Sequence, residues 1–288
     1  MQNNKKNIHI YCFIQIVLQK ILQKRFIVLC GIILFTEYVY LRPVISVCKI
    51  TDEKVTPWIL VFLFSNIYFI MILFMGAMYL FGNIPFFHQW TIYHIIRMRK
   101  KRWIKNQIFA LVIQNFFYCL WIYISGIFIL FPYLKWSLDW GKVINTLALS
   151  ESELTEKVLF SISDRIIYAY KPANILGINF FYMFFLIFFL GNFMYFFSLF
   201  SSRMIAISIS MFLITLVIMG KNMFFFKTYL WYSPFSWMDL NILLDHMGKN
   251  NPPILYTMMF LSIFNFIFIL LVLKKVENID FQWNREEI

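Results

Sequence analysis

The stretch that decides the fold is ILGINFFYMFFLIFFLGNFMYFFSLF, Ile175–Phe200, which carries no charged residue and no proline. A helix that crosses a bilayer needs ~20 apolar residues, with a range of ~17–25. Only Ser201, Ser202 and Arg203 follow before a second apolar run, Met204–Gly220. Two such runs joined by three residues read as a tight hairpin at a membrane face. Working outward, four more apolar stretches stand out: Phe26–Leu41, Trp58–Phe81, Ile108–Phe131 and Ile254–Leu273. Met204–Gly220 is at the lower length limit. Phe26–Leu41 is short and carries Glu37, and it extends toward Leu22 or past Pro43 if it spans. The sequence therefore predicts an all-α, polytopic membrane protein with about six transmembrane helices, as one domain over residues 1–288.

Composition agrees. The chain is 61% hydrophobic, 14% charged and 21% aromatic, with 36 Phe among its 288 residues and a mean hydropathy of +0.71. A soluble domain is ~45–50% apolar and ~25% charged. The formal charge of +12 fits the excess of Lys and Arg in cytoplasmic loops of membrane proteins. It does not form a basic stripe on a soluble domain, so nucleic acid is not expected as a partner. None of the four cysteines forms a C-x-x-C pair, and buried apolar thiols are the expected state. No small-residue cleavage site follows the Lys-containing N-terminus, so no signal peptide is expected.

Orientation follows from where the bases fall. Lys5, Lys6, Lys20, Lys24 and Arg25 precede the first span, and Arg97, Arg99, Lys100, Lys101, Arg102 and Lys105 separate the second from the third. Arg203 lies in the hairpin, and Lys274 and Lys275 follow the last span. The loop Pro132–Asn174 instead mixes five bases with five acids. This asymmetry predicts both termini inside. Residues 8–25 set Gln15, Gln19 and Gln23 with Lys20 and Lys24 against Ile10, Phe13, Ile14, Val17, Leu18, Ile21 and Leu22. That is an amphipathic helix suited to the cytoplasmic interface, the alternative being a plain cytoplasmic extension of the first span. In the long loop Trp136 and Trp140 are expected at headgroup level, and Leu147–Ser163 has helix-compatible spacing.

The search for chemistry is mostly negative. No G-x-x-x-x-G-K-[ST], H-E-x-x-H or G-x-S-x-G string occurs, so no nucleotide-cradling loop, zinc-protease helix or nucleophile elbow is expected. His88 and His94 are six apart, on different helix faces, and Asp239 and Asp245 are six apart in a probable loop. No catalytic, cofactor-binding or metal-ligating residue is assigned. Glu37 is the one acid inside a predicted span, and two readings stand for it. An intramembrane acid points to function or an internal partner. Equally, Glu37 lies ~18 Å along the helix from Arg25, which would bring it to the outer headgroups beside Arg42. Asn66, Gln114, Asn115, Asn179, Asn192 and Asn265 are expected to make interhelical hydrogen bonds.

The loop between the second and third spans is the most informative segment. It runs Gly82-Asn83-Ile84-Pro85-Phe86-Phe87-His88-Gln89-Trp90, continues to Tyr93, and ends Arg97-Met98-Arg99-Lys100-Lys101-Arg102-Trp103. Anionic lipid accounts for the bases, whereas the aromatics suit docking onto a cytoplasmic protein. A second broken aromatic segment, Ser233-Pro234-Phe235-Ser236-Trp237, lies within Lys221–Pro253 before the last span. Such a segment dips into a leaflet only where protein covers its backbone.

In this order of features the chain resembles the type-2 permease family of ABC exporters, especially members from Gram-positive bacteria. The resemblance implies that Ile84–Arg97 is a coupling segment seated on the ATPase, with Pro85, Phe86, Phe87, Trp90, Tyr93 and Arg97 at the contact. It implies that Ser233, Pro234, Phe235, Ser236 and Trp237 belong to an outer re-entrant region. It further implies a cytoplasmic ATPase subunit that carries the ATP and Mg, a second permease subunit, identical or paralogous, and a bacterial cell-membrane location. Pro132–Asn174 is longer than in many members. Competing classes are a membrane-embedded lipid-modifying enzyme or intramembrane protease, and a channel-like or immunity protein acting without an ATPase. The orientation is testable: an impermeant thiol reagent should label Glu153→Cys from outside intact cells, and should label Lys101→Cys and Asn4→Cys only after permeabilisation.

Overall fold

The computed structural model describes residues 13–84, 95, 100–149, 157–222, 230–244 and 251–277. Among them the chain is helical throughout, apart from loops and one isolated bridge between Val55 and Leu134. Six principal helices follow in order: α1 Lys24–Thr51, α2 Ile67–Phe81, α3 Lys100–Leu130, α4 Pro172–Phe200, α5 Arg203–Asn222 and α6 Ile254–Glu277. Among the described residues four helices are long and apolar enough to cross a membrane: Lys24–Thr51, Lys100–Tyr133, Pro172–Phe200 and Ile254–Val276. Arg203–Ile218, within α5, is a shorter apolar helix. Large apolar side chains such as Phe35, Phe128 and Phe266 stand exposed on these helices, as lipid-facing residues do.

Two expected spans differ in form. The first is not Phe26–Leu41 but all of α1, which continues through Pro43. Proline removes one backbone donor, and the tertiary contacts of Leu41, Val44, Val47 and Cys48, all buried, hold the helix across it. The second, expected as Trp58–Phe81, is broken. Pro57–Ser65 is a 3-10 helix, Ile67–Phe81 is α-helical, and the two meet at 91°. At ~1.5 Å per residue, the 15 residues of α2 reach only ~22 Å, short of a ~30 Å hydrocarbon core.

The break has a local cause. Pro57 starts the 3-10 helix where its missing N–H costs nothing, and Asn66 starts α2. Asn66 Oδ1 accepts from the backbone N–H of Tyr68 at 2.9 Å and of Phe69 at 3.2 Å, as an N-cap does. The Tyr40 hydroxyl lies 3.3 Å from the same oxygen, and Asn66 Nδ2 donates to the Leu159 carbonyl at 2.6 Å. One side chain thus serves a helix start, a neighbouring helix and a distant loop.

Leucine side chains set onto glycine backbone pack the bundle. A Cβ at Gly126 of α3 would stand 2.5 Å from Leu60 Cδ2, and one at Gly76 of α2 would stand 2.6 Å from Leu29 Cδ1. Polar pairs then tie the helices. Asn115 Nδ2 of α3 donates to the Phe184 carbonyl of α4 at 2.8 Å, and Asn192 Nδ2 of α4 to Asn265 Oδ1 of α6 at 2.8 Å. Each such bond contributes ~0.6–2 kcal/mol in an apolar solvent.

Three further expectations are corrected. In the loop the described helices are Lys142–Leu149 and Asp164–Ala169: of Leu147–Ser163, residues 147–149 are helical, 157–163 are not, and 150–156 lie outside the described residues. Trp136 is exposed, but Trp140 is buried against Phe62, their ring centroids 5.4 Å apart. Residues 13–21 are helical, yet Lys20 faces the protein rather than water. Lys20 Nζ donates to the Gln107 carbonyl at 3.0 Å, while Ile14, Leu18 and Leu22 are exposed. Burial holds the Lys20 ammonium well below the ordinary lysine range.

Asn66→Ala should remove the cap and the bond to Leu159 together, a loss of ~2–3 kcal/mol from one cap and one neutral hydrogen bond. Asn66→Asp keeps the acceptor and should lose less. Apparent melting temperatures in mild detergent measure this, and an unchanged value for the alanine variant would reject the pivot role.

Candidate functional site

Two broken segments meet at one end of the bundle. Ile59–Phe64 of the first are all 0–2% exposed. Between α5 and α6, Pro234–Met238 forms a 3-10 helix and Leu240–Leu244 a short α-helix, and both pack into the bundle. Ser233, Pro234, Phe235, Ser236 and Trp237 are all buried. Phe235 sits between Phe74 of α2 and Phe189 of α4, at centroid distances of 4.6 and 6.1 Å. Trp237 stacks edgewise on Phe260 of α6 and donates Nε1–H to the Leu230 carbonyl at 2.6 Å. Proline at the second position of Ser233–Trp237 sets the 3-10 start, and the flanking aromatics anchor it.

Backbone that leaves the helix inside an apolar body must find partners within the protein. Here the long loop supplies them. Ser65 Oγ lies 2.8 Å from the carbonyls of Phe62 and Ser161 and accepts from Ser161 N–H at 3.0 Å. Asn241 Nδ2, from the second broken segment, donates to Ser161 Oγ at 3.1 Å. Trp58 Nε1 donates to the Ser137 carbonyl at 2.8 Å, and Thr56 Oγ1 to the Trp140 carbonyl at 2.7 Å. Trp140 Nε1 in turn donates to the Tyr170 carbonyl at 3.1 Å. Lys142 pairs with Glu53 at 2.9 Å on the surface, and its charge and hydrogen bond hold the Glu53 carboxyl below the usual range. The loop, both broken segments and the adjoining ends of α3 and α4 thus form one polar-stitched cap.

A small crevice under the cap is lined by Ile67, Ile70, Val217, Leu230, Ser236, Asp239 and Ile242. Asp239 is buried, and its Oδ1 accepts from Asn241 N–H at 3.0 Å. Its expected neighbour Asp245 lies outside the described residues. Among the described residues no group of three or more His, Cys, Asp or Glu is placed to hold a metal.

Glu37 is elsewhere, midway along α1 and 0% exposed. Arg42 is exposed, and the carboxyl is not paired with it: neither Glu37 oxygen has a hydrogen-bond partner among the described residues. The headgroup reading of Glu37 is therefore replaced by an interior one. The coupling residues Pro85, Phe86, Phe87, Trp90, Tyr93 and Arg97 lie outside the described residues, and so do His88 and His94. Sequence reasoning missed Ser65, Ser161 and Asn241 as members of the cap. The signal for the first was present, since Ser65-Asn66 interrupts an apolar run nine residues after Pro57. No family model, curated protein or solved structure matches the chain.

Ser65→Ala deletes the oxygen that receives Ser161 N–H. A hydrogen bond contributes ~0.5–1.5 kcal/mol net, so amide exchange at Ser161 should quicken by up to about tenfold. Equal exchange in both proteins would mean that Ser65 does not hold the loop.

Proposed function

We propose that the chain is the membrane-spanning subunit of an ATP-binding-cassette exporter of the type-2 kind. The observation that carries the proposal is the buried pair Pro234–Met238 and Leu240–Leu244 between the last two principal helices. That is where the family resemblance calls for a re-entrant region. The helix at residues 13–21, set off from α1 at residues 22–23, and the apolar helices that follow support the same reading.

On this reading the chain passes the bilayer six times, with Pro57–Ser65 and α2 together as the bent second pass and α5 as the fifth. Residues 8–25 lie at the cytoplasmic interface, both termini are cytoplasmic, and the cap faces outward in a bacterial cell membrane. The segment between α2 and α3, with Pro85, Phe86, Phe87, Trp90, Tyr93 and Arg97, seats on a cytoplasmic ATPase. ATP and Mg belong to that partner. When the ATPase closes on ATP, the segment moves α2 and α3 together, because it joins their ends. The aromatic interior suits an amphipathic substrate such as a peptide, drug or lipid, and a second permease subunit completes the pathway.

Phe86, Phe87 and Trp90 would be the contact anchors, since aromatics often dominate such interfaces. Replacing all three by Ala should abolish co-purification of the ATPase and substrate-stimulated ATP hydrolysis, while the variant still inserts in the membrane. A triple variant that brings its ATPase down at normal yield would remove the coupling assignment. Salt-resistant hydrolysis by the lone chain would favour an enzyme instead.

A further inference from the structure

Glu37 stands 13 residues after Lys24 and 14 before Thr51 in α1, ~20 Å from either helix end. Both carboxyl oxygens are buried without a partner, and so is the hydroxyl of Tyr123 on α3. Tyr123 and Tyr118 are near enough to feel the carboxyl electrostatically. Ser125 of α3 lies beside it. The Ser125 hydroxyl has one hydrogen, and the Trp121 and Ile122 carbonyls take it, at 2.8 and 3.2 Å. With its hydrogen on one of these carbonyls, the oxygen has only lone pairs to offer. Lone pairs repel a carboxylate and attract a carboxylic acid, which has an O–H to donate.

Among the described residues no lysine or arginine acts on the carboxyl. The titratable groups that feel Glu37 are Tyr118 and Tyr123 of α3, and beside Tyr118 lie Cys119 and, from α1 itself, Cys30. The Tyr118 hydroxyl donates to the Leu73 carbonyl at 2.8 Å, and the Cys119 thiol to Asn115 Oδ1 at 3.5 Å. The tyrosines of α2, Tyr68 and Tyr79, are 64% and 44% exposed. Pro57–Ser65 contains no ionisable residue. An unpaired carboxylate in such surroundings is far costlier than a neutral acid.

We propose that Glu37 is a proton-binding site in the seam between α1 and α3. While the seam is closed the carboxyl keeps its proton and donates it as a hydrogen bond to Ser125 Oγ. When the seam opens the proton passes to water and the carboxylate stays on α1. Closing the seam therefore takes up one proton, and by linkage a rise in pH favours the open form. The inference does not depend on the exporter reading, since it involves only the two packed helices.

Infrared spectroscopy of the whole chain in lipid vesicles tests it. At neutral pH the wild type should show a protonated-carboxyl carbonyl band that shifts in D2O. Glu37→Gln should lose one carboxyl's worth of that band. Ser125→Ala should move it to higher wavenumber, because the acid loses its acceptor. Glu37→Asp should move the band without deleting it, which assigns the band even if the glutamine variant fails to fold. Identical neutral-pH spectra in this region for wild type, Glu37→Gln and Glu37→Asp would mean that Glu37 is ionised and holds a cation instead, and the proposal would fail. A band that Ser125→Ala leaves unmoved would overturn the assigned hydrogen bond.

Discussion

The constraint on which this structure depends is that a chain leaving the helix inside an apolar body must bring its own hydrogen-bond partners. A buried peptide group without one costs as much as the hydrogen bond it lacks. At the turn between Pro57–Ser65 and α2, the Asn66 side chain takes the first free N–H groups of α2. Ser65 and Ser161 exchange bonds across nearly a hundred positions of sequence. The long loop is thus not an appendage. Its carbonyls at Ser137, Trp140, Leu159 and Ser161 receive the polar atoms of Trp58, Thr56, Asn66 and Ser65. Without that loop the 91° turn would leave these groups without their partners.

Away from the cap, packing follows a different rule. Lipid tails are as apolar as leucine, so helices do not associate to escape them. Contact surface and a few polar bonds must suffice. Gly126 and Gly76 let Leu60 and Leu29 lie against the neighbouring backbone. The aromatic ladder of α4, with Phe189, Phe193 and Phe196 against Phe268 of α6, fills the space where no small residue allows closer approach. Asn192 and Asn265 fix the register of that pair.

The apolar helices were legible because hydropathy over ~20 residues reports the solvent directly. The asparagines and Gln114 were legible as bonding groups for the same reason, since a polar side chain in such a run must find a partner. The bend at Asn66 was not, although its signals were local. A mean hydropathy over Trp58–Phe81 is unchanged by one Ser-Asn pair, and only the loop ninety residues on makes a break there tolerable. Trp140 was misplaced by the same limit. An indole suits headgroups and a protein core alike, and its choice rests on Phe62 and the Tyr170 carbonyl. Lys20 points inward because the carbonyl of Gln107 meets its ammonium, a pairing invisible in the amphipathic spacing of residues 8–25.

The two regions of the bundle differ in how completely their polar atoms are paired. At the cap most polar side chains of the broken segments have a partner, the buried Ser233 hydroxyl being an exception. Along the α1–α3 seam the Tyr123 hydroxyl has no hydrogen-bond partner among the described residues, and Glu37 has none but the bond proposed to Ser125. An unpaired buried group is a cost carried only by the closed packing, because water or a partner satisfies it once the seam parts. The same separation at the cap would break bonds already made. Glu37, the one acid of α1, lies in the α1–α3 seam, which the Trp121 indole crosses to donate to the Cys30 carbonyl at 3.1 Å.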